Sequence, residues 1–223
     1  MLYAALGDSI THGYSSSSEE KRFVNHIQQN LSKRQKLNLY VHAKAGWTSK
    51  QLLKSLSSIP DCIWDEAKLI TLMVGGNDLL RIAPWLLDGS RRPLYKAADR
   101  LYENIVEIAS IVQRPQSKIV VATLYNPFPN SMAAEECVEA LNKAIRTAVR
   151  RKKLLLADVR QQYLGKEQQY ISGYKQGNIK DFRFFGNPIH PNDAGHLTIA
   201  RTILRAYRQS LGRVRRPRKK FQK

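Results

Sequence analysis

What most limits the fold of this 223-residue chain is an alternation of two kinds of segment. Short apolar runs read as strands: Leu2–Leu6, Asn38–His42, Leu69–Val74, Lys118–Thr123 and Leu154–Val159. Between and after them lie longer segments with helical periodicity. Phe23, Ile27 and Leu31 mark one face of a helix within Glu19–Arg34, and Leu52, Leu53 and Leu56 mark another within Thr48–Ser58, with Thr48 as its N-cap. Pro93–Val112, Ala133–Arg150 and Asn192–Leu211 complete the set, the last with Leu197, Leu204 and Leu211 inward. Strands that alternate with helices build a parallel sheet covered on both faces. The expected fold is therefore α/β, a three-layer α/β/α sandwich around a five-stranded parallel sheet. Right-handed crossovers bring every strand's C-terminus to one edge, and such sheets carry their sites there.

Four motifs sit just past an apolar run or in a turn, in a fixed order. They are Gly7-Asp8-Ser9, Ala45-Gly46-Trp47, Gly75-Gly76-Asn77-Asp78 and Asn187-Pro188-Ile189-His190-Pro191-Asn192. Opening an ester takes a nucleophile, a base for its proton, and donors for the oxygen that becomes negative. Ser9, at a strand-to-helix turn, is the candidate nucleophile. His190 is the candidate base. A glycine at 46 suits a backbone N–H that lies against substrate, and Asn77 carries an NH2 that an ionised Asp would lack. Asp8 reads as a carboxylate that ties its own turn, and His196 as a structural histidine. The Gly-x-Ser-x-Gly elbow of another large hydrolase class is absent.

Taken together, these motifs resemble those of the SGNH hydrolases, the GDSL esterase/lipase family, whose letters fall on Ser9, Gly46, Asn77 and His190. The resemblance spans residue 3 to about residue 197. It implies one catalytic domain, taken as residues 1–211, with a flavodoxin-like SGNH fold. It implies an esterase or lipase that forms an acyl-enzyme on Ser9, and an oxyanion hole made of the Ser9 and Gly46 backbone N–H groups and the Asn77 amide. No metal or organic cofactor is called for. The family's last motif reads Asp-x-x-His, and here Asn187 stands where the acid belongs. An amide oxygen accepts the bond from the imidazole Nδ1–H but supplies no charge. Three readings stay open: Asn187 orients His190, another acid such as Asp181 substitutes, or the protein is a weak or inactive relative.

The charge is the chain's other marked feature. Its 37 basic and 18 acidic residues give +19. Seven of those positive charges lie in residues 212–223, read as a basic tail, leaving +12 on the rest. Such a field attracts anionic surfaces, phospholipid or wall polymer, although no specific nucleic-acid motif is present. Met1-Leu2-Tyr3 leads straight into the first strand without a signal-peptide pattern, so a cytoplasmic protein is expected. Cys62 and Cys137 have neither metal-site nor disulfide spacing.

For substrate, the apolar stretch containing Trp85 and Leu86 follows the Asn77 motif, Phe128 follows the fourth strand, and Phe185 precedes His190. Trp85, Leu86, Phe128 and Phe185 are the expected acyl-pocket residues, and the expected substrate is a small-molecule or lipid ester. An O-acetyl ester on a carbohydrate is the alternative. A hydrolase-like binding protein on an anionic surface is a second. The sequence sets no oligomeric state.

Overall fold

The computed structural model describes residues 1–33, 36–86, 90–182 and 188–214, the side chains of 83–86 and 213–214 excepted. Five strands, β1 (Leu2–Gly7), β2 (Asn38–Ala43), β3 (Ala67–Met73), β4 (Lys118–Ala122) and β5 (Leu155–Ala157), pair in the order β2-β1-β3-β4-β5. Every pairing is parallel. The helices are α1 (Ser9–His12), α2 (Phe23–Ser32), α3 (Ser49–Ser55), α4 (Asp61–Glu66), α5 (Gly76–Leu86), α6 (Arg92–Val112), α7 (Met132–Lys152), α8 (Val159–Tyr163), α9 (Glu167–Tyr170) and α10 (Asp193–Val214).

The inner strands are apolar on both faces because each face meets a helical layer. On β1, Ala4 and Leu6 join one core cluster, and Tyr3 and Ala5 join the other. β3 and β4 alternate in the same way, as a period of two requires. One cluster packs α3, α6 and α7 against the sheet through residues such as Leu52, Leu101, Ile105, Leu141 and Ile145. The opposite cluster packs α2 and α10 through Phe23, Ile27, Ile199 and Ile203. The Tyr3 hydroxyl, fully buried, is satisfied by Thr71 Oγ1 at 2.9 Å. The edge strands β2 and β5 are less buried.

The five expected strands and the α/β/α layering are present, and Thr48 caps α3 with a full capping box to Gln51. Two further helices are present and one helix face is corrected. The stretch from Gly76 onward is α5, with Leu79 and Ile82 packed on the core. Gly75 and Gly76 look like breakers, yet a helix start tolerates them. Asp61–Glu66 is a further helix, and it buries Trp64. In α10 the inward stripe is Ile199, Ile203, Leu204 and Tyr207, while Leu197 is half-buried and Leu211 is 45% exposed at its margin. No described helix is long and apolar enough to cross a membrane. Residues 215–223 of the basic tail lie outside the described residues.

Candidate active site

Strand register brings the site together. Gly7 is level with Ala43 on β2 and with Met73 on β3. The segments that follow the three strands, carrying Ser9, Gly46 and Asn77, therefore leave the sheet side by side. Gly7 is required there: a Cβ would collide with the Thr11 hydroxyl and the Met73 carbonyl. Asp8 caps α1, its Oδ1 accepting from the Ile10 N–H at 3.0 Å. Burial pushes the Asp8 carboxyl up to about 7, with the nearby Asp78 charge adding to the rise. Ser9 is the first residue of α1, so its N–H has no intrahelical partner.

The Ser9 Oγ lies 2.9 Å from His190 Nε2 across 181 positions of sequence. Several contacts hold that histidine. Ser172 N–H donates to the His190 carbonyl at 2.9 Å, and Ile171 forms an antiparallel bridge with Pro191. Asn192 N–H donates to the Tyr170 carbonyl at 2.8 Å, and the Tyr125 hydroxyl donates to the Ile189 carbonyl at 2.5 Å. The Asn192 side chain accepts from Gly195 N–H at 3.0 Å at the start of α10. Burial lowers the His190 pKa to about 4. The ring is thus neutral at neutral pH, and Nε2 accepts the Ser9 proton when the ring's own proton sits on Nδ1.

The donor side is built from the start of α3, with the Gly46 loop before it, and the start of α5, tied together. Asp78 accepts from Ser49 N–H at 2.8 Å and from Ser49 Oγ at 2.5 Å. Asn104 donates to the same hydroxyl at 2.8 Å. Asn77 Nδ2 donates to the Trp47 carbonyl at 2.9 Å, which fixes the amide plane and leaves its second N–H for a ligand. Gly46, one residue before Trp47, has φ of 81°. A Cβ there would meet nothing within 4 Å, so backbone conformation rather than crowding calls for glycine.

Of the expected site residues, Ser9 and His190 are brought into contact, and Gly46, in the loop before α3, and Asn77, in the first turn of α5, lie on adjoining segments joined by the Asn77–Trp47 hydrogen bond. Phe185 and Asn187 lie outside the described residues, as do the side chains of Trp85 and Leu86, which belong to α5. Phe128 is 5% exposed and packs edge-to-face on Phe182, so it fills its own loop instead of lining an open pocket. Asp181 accepts from the N–H groups of Gln176 and Asn178, a turn-capping role, and is not hydrogen-bonded to His190. His196 is fully buried, with Nε2 3.1 Å from the Tyr14 carbonyl oxygen.

Sequence reasoning missed the supports. Asp78 was visible in its motif, but its partners Ser49 and Asn104 carry no signal. Arg160, 8% exposed, donates through Nη2 to both Glu135 oxygens at 2.6 Å and lies 3.7 Å from the buried Glu167. Asn126 donates to the same Glu135 at 2.8 Å. This brace joins the loop after β4 to α9, which backs the His190 segment. Tyr14, whose ring stands over His190, was also missed.

A serine hydroxyl against a neutral imidazole, at the C-terminal edge of a parallel sheet and beside donor loops, defines a hydrolase of the serine type. The chain belongs to the GDSL-like lipase/acylhydrolase family, whose model matches residues 5–197, and it is a carboxylic ester hydrolase. It is 25% identical over 184 residues to the spore germination lipase LipC of Bacillus licheniformis, covering 77% of this chain and 86% of that protein. Its fold is similar to that of the lipase Lip_vut3 from a goat rumen metagenome (TM-score 0.76, 22% identity, 92% of this chain and 97% of that one). It is likewise similar to that of the acetylxylan esterase Axe2 from Geobacillus stearothermophilus (TM-score 0.66, 15% identity, 92% and 93%).

Proposed function

We propose that the protein hydrolyses acyl esters through a covalent intermediate on Ser9. The observation that carries this is the 2.9 Å contact between Ser9 Oγ and His190 Nε2. As Oγ attacks the carbonyl carbon, its proton passes to Nε2. The carbonyl oxygen takes the charge and is held by the N–H groups of Ser9 and Gly46 and by the Asn77 amide. Collapse breaks the ester C–O bond, and the imidazolium gives its proton to the departing alcohol. Water then attacks the acyl-Ser9 carbon, again giving a proton to His190, and the acid leaves with Ser9 restored. At the family's acid position, Asn187 is in this reading the candidate partner of His190, with no charge of its own.

The preferred substrate is an ester with an acyl chain, bound beside Trp85 and Leu86 at the end of α5. The lipase name of the relative LipC favours this reading. Residues 1–211 form the catalytic domain, and the basic residues of 212–223 draw it to anionic surfaces. A panel of p-nitrophenyl esters from acetate to octanoate, with Ser9→Ala beside wild type, tests the function. Hydrolysis that Ser9→Ala abolishes, with a preference beyond acetate, is expected. Equal rates in the two proteins would remove the serine mechanism, and activity confined to acetate would remove the acyl-chain reading.

A further inference from the structure

We propose that Tyr14 is a positioning residue for hydrolysis, its ring face stabilising the imidazolium that His190 becomes on taking the Ser9 proton. The inference rests on the acyl-Ser9 reading above.

The Tyr14 and His190 ring centroids are 4.4 Å apart, with the planes tilted by 39°. A cation that close to an aromatic face is attracted by the ring quadrupole. Nothing in the core requires the ring to be there: Tyr14 is 54% exposed. Its backbone, by contrast, is closely tied to the site. Tyr14 N–H donates to the Ser9 carbonyl at 2.9 Å, after a chain reversal at Gly13 with φ of 98°. Its own carbonyl meets His196 of α10. Beyond it, Ser17 donates to Asp193 through both N–H and Oγ, and Lys21 adds a 2.9 Å bond to the same carboxylate. The Tyr14 loop is therefore fastened at one end to the nucleophile and at the other to the helix that follows the base.

The titratable groups on the segments that carry the pair are Asp8 beside Ser9, Tyr125 bonded to the Ile189 carbonyl, and Asp193 and His196 on α10. Asp193 is taken up by Ser17 and Lys21. Asp8 faces Ile10, and its burial works against ionisation. Tyr125 is spent on the Ile189 carbonyl. A second positive charge on His196 would oppose one on His190. Among the described residues no carboxylate is hydrogen-bonded to His190, and the sequence puts an amide, Asn187, at the family's acid position. A π-face supplies stabilisation that grows only as the ring becomes charged, which is what lowers a barrier.

The test compares Tyr14→Phe, which keeps the quadrupole, with Tyr14→Leu, which keeps an apolar cover without one. In the full chain, the His190 titration is followed by NMR, and kcat and KM for p-nitrophenyl acetate are measured across pH. Tyr14→Phe is expected to match wild type in both. Tyr14→Leu is expected to lower the His190 midpoint by about half a pH unit and kcat by about three- to ten-fold, with KM little changed. Leu and Phe variants that agree in midpoint and kcat would overturn the proposal, leaving Tyr14 as a steric cover. A change confined to KM would overturn it too, making Tyr14 a wall for substrate. If Ser9→Ala hydrolyses as fast as wild type, the parent reading fails, and the His190 midpoint still decides whether Tyr14 stabilises the cation.

Discussion

Removing the Asp78 carboxylate tests whether the donor loops act as one unit. In Asp78→Ala, Ser49 loses the acceptor for its N–H and one of the partners of its hydroxyl. Ser49 is fully buried, so water does not replace them. Two hydrogen bonds to a charged group are worth about 3–6 kcal/mol together, less what is recovered by no longer burying the carboxylate. Gly46 lies between the Ala43 end of β2 and the tied Ser49, and its N–H then loses its fixed position. A displacement of about 1 Å at such a group costs on the order of 100-fold in rate. Urea unfolding followed by tryptophan fluorescence reads the first effect, and kcat with p-nitrophenyl acetate reads the second. Asp78→Asn keeps an oxygen for the Ser49 N–H and is expected to recover most of both. An alanine variant that loses stability but keeps full turnover would show that the tie serves the fold alone and refute the reasoning.

Other outcomes follow from the same geometry. Asn77→Ala removes one oxyanion donor and is expected to lower kcat by about 10²–10³-fold with KM nearly constant; a loss below threefold would exclude Asn77 from the hole. The basic form of His190 is the active one, so kcat/KM is expected to hold steady from neutral pH downward and to fall through about 4. A midpoint at the ordinary 6.5 would contradict the burial argument. The stability sign matches: His190 and His196 both have lowered pKa values, to about 4, so the unfolded chain takes up more protons between 6.5 and 4. That histidine contribution is fully present above 6.5 and is lost as pH falls through the window, whereas Asp8, raised to about 7, works in the opposite sense there; urea midpoints at successive pH values for an Asp8→Asn variant beside wild type will separate the two. Asn187→Asp is expected to raise or preserve turnover and to move the acid limb upward, because a carboxylate favours the imidazolium. Lower activity with an intact fold would count against that position as the acid's place.

The inner strands were legible because burial on both sheet faces leaves continuous apolar runs, and the order of the connections along the edge follows from parallel crossovers. Ser9 and His190 were legible because each sits in a motif of several residues. α5 was not, since Gly75-Gly76 looks like a turn until tertiary contacts of Leu79 and Ile82 pull the next residues into a helix. The Leu197/Leu204/Leu211 spacing of seven gave an approximate face for α10, and the true stripe lies beside it. Supports such as Ser49–Asp78, Glu135–Arg160 and Tyr14–His190 join residues 29, 25 and 176 positions apart. Each partner alone is an ordinary polar or aromatic residue, so no local pattern announces the pair.

Catalysis requires one hydroxyl, on Ser9, to be made reactive by one imidazole, on His190. A fluorophosphonate probe, with the modified peptide located by mass spectrometry, reads this without choosing a natural substrate. Labelling is predicted on Ser9, absent in Ser9→Ala and at least 100-fold slower in His190→Ala, in line with the roughly 10⁴ or greater loss when such a pair is broken. Labelling at another serine, or equal rates with and without His190, would contradict it.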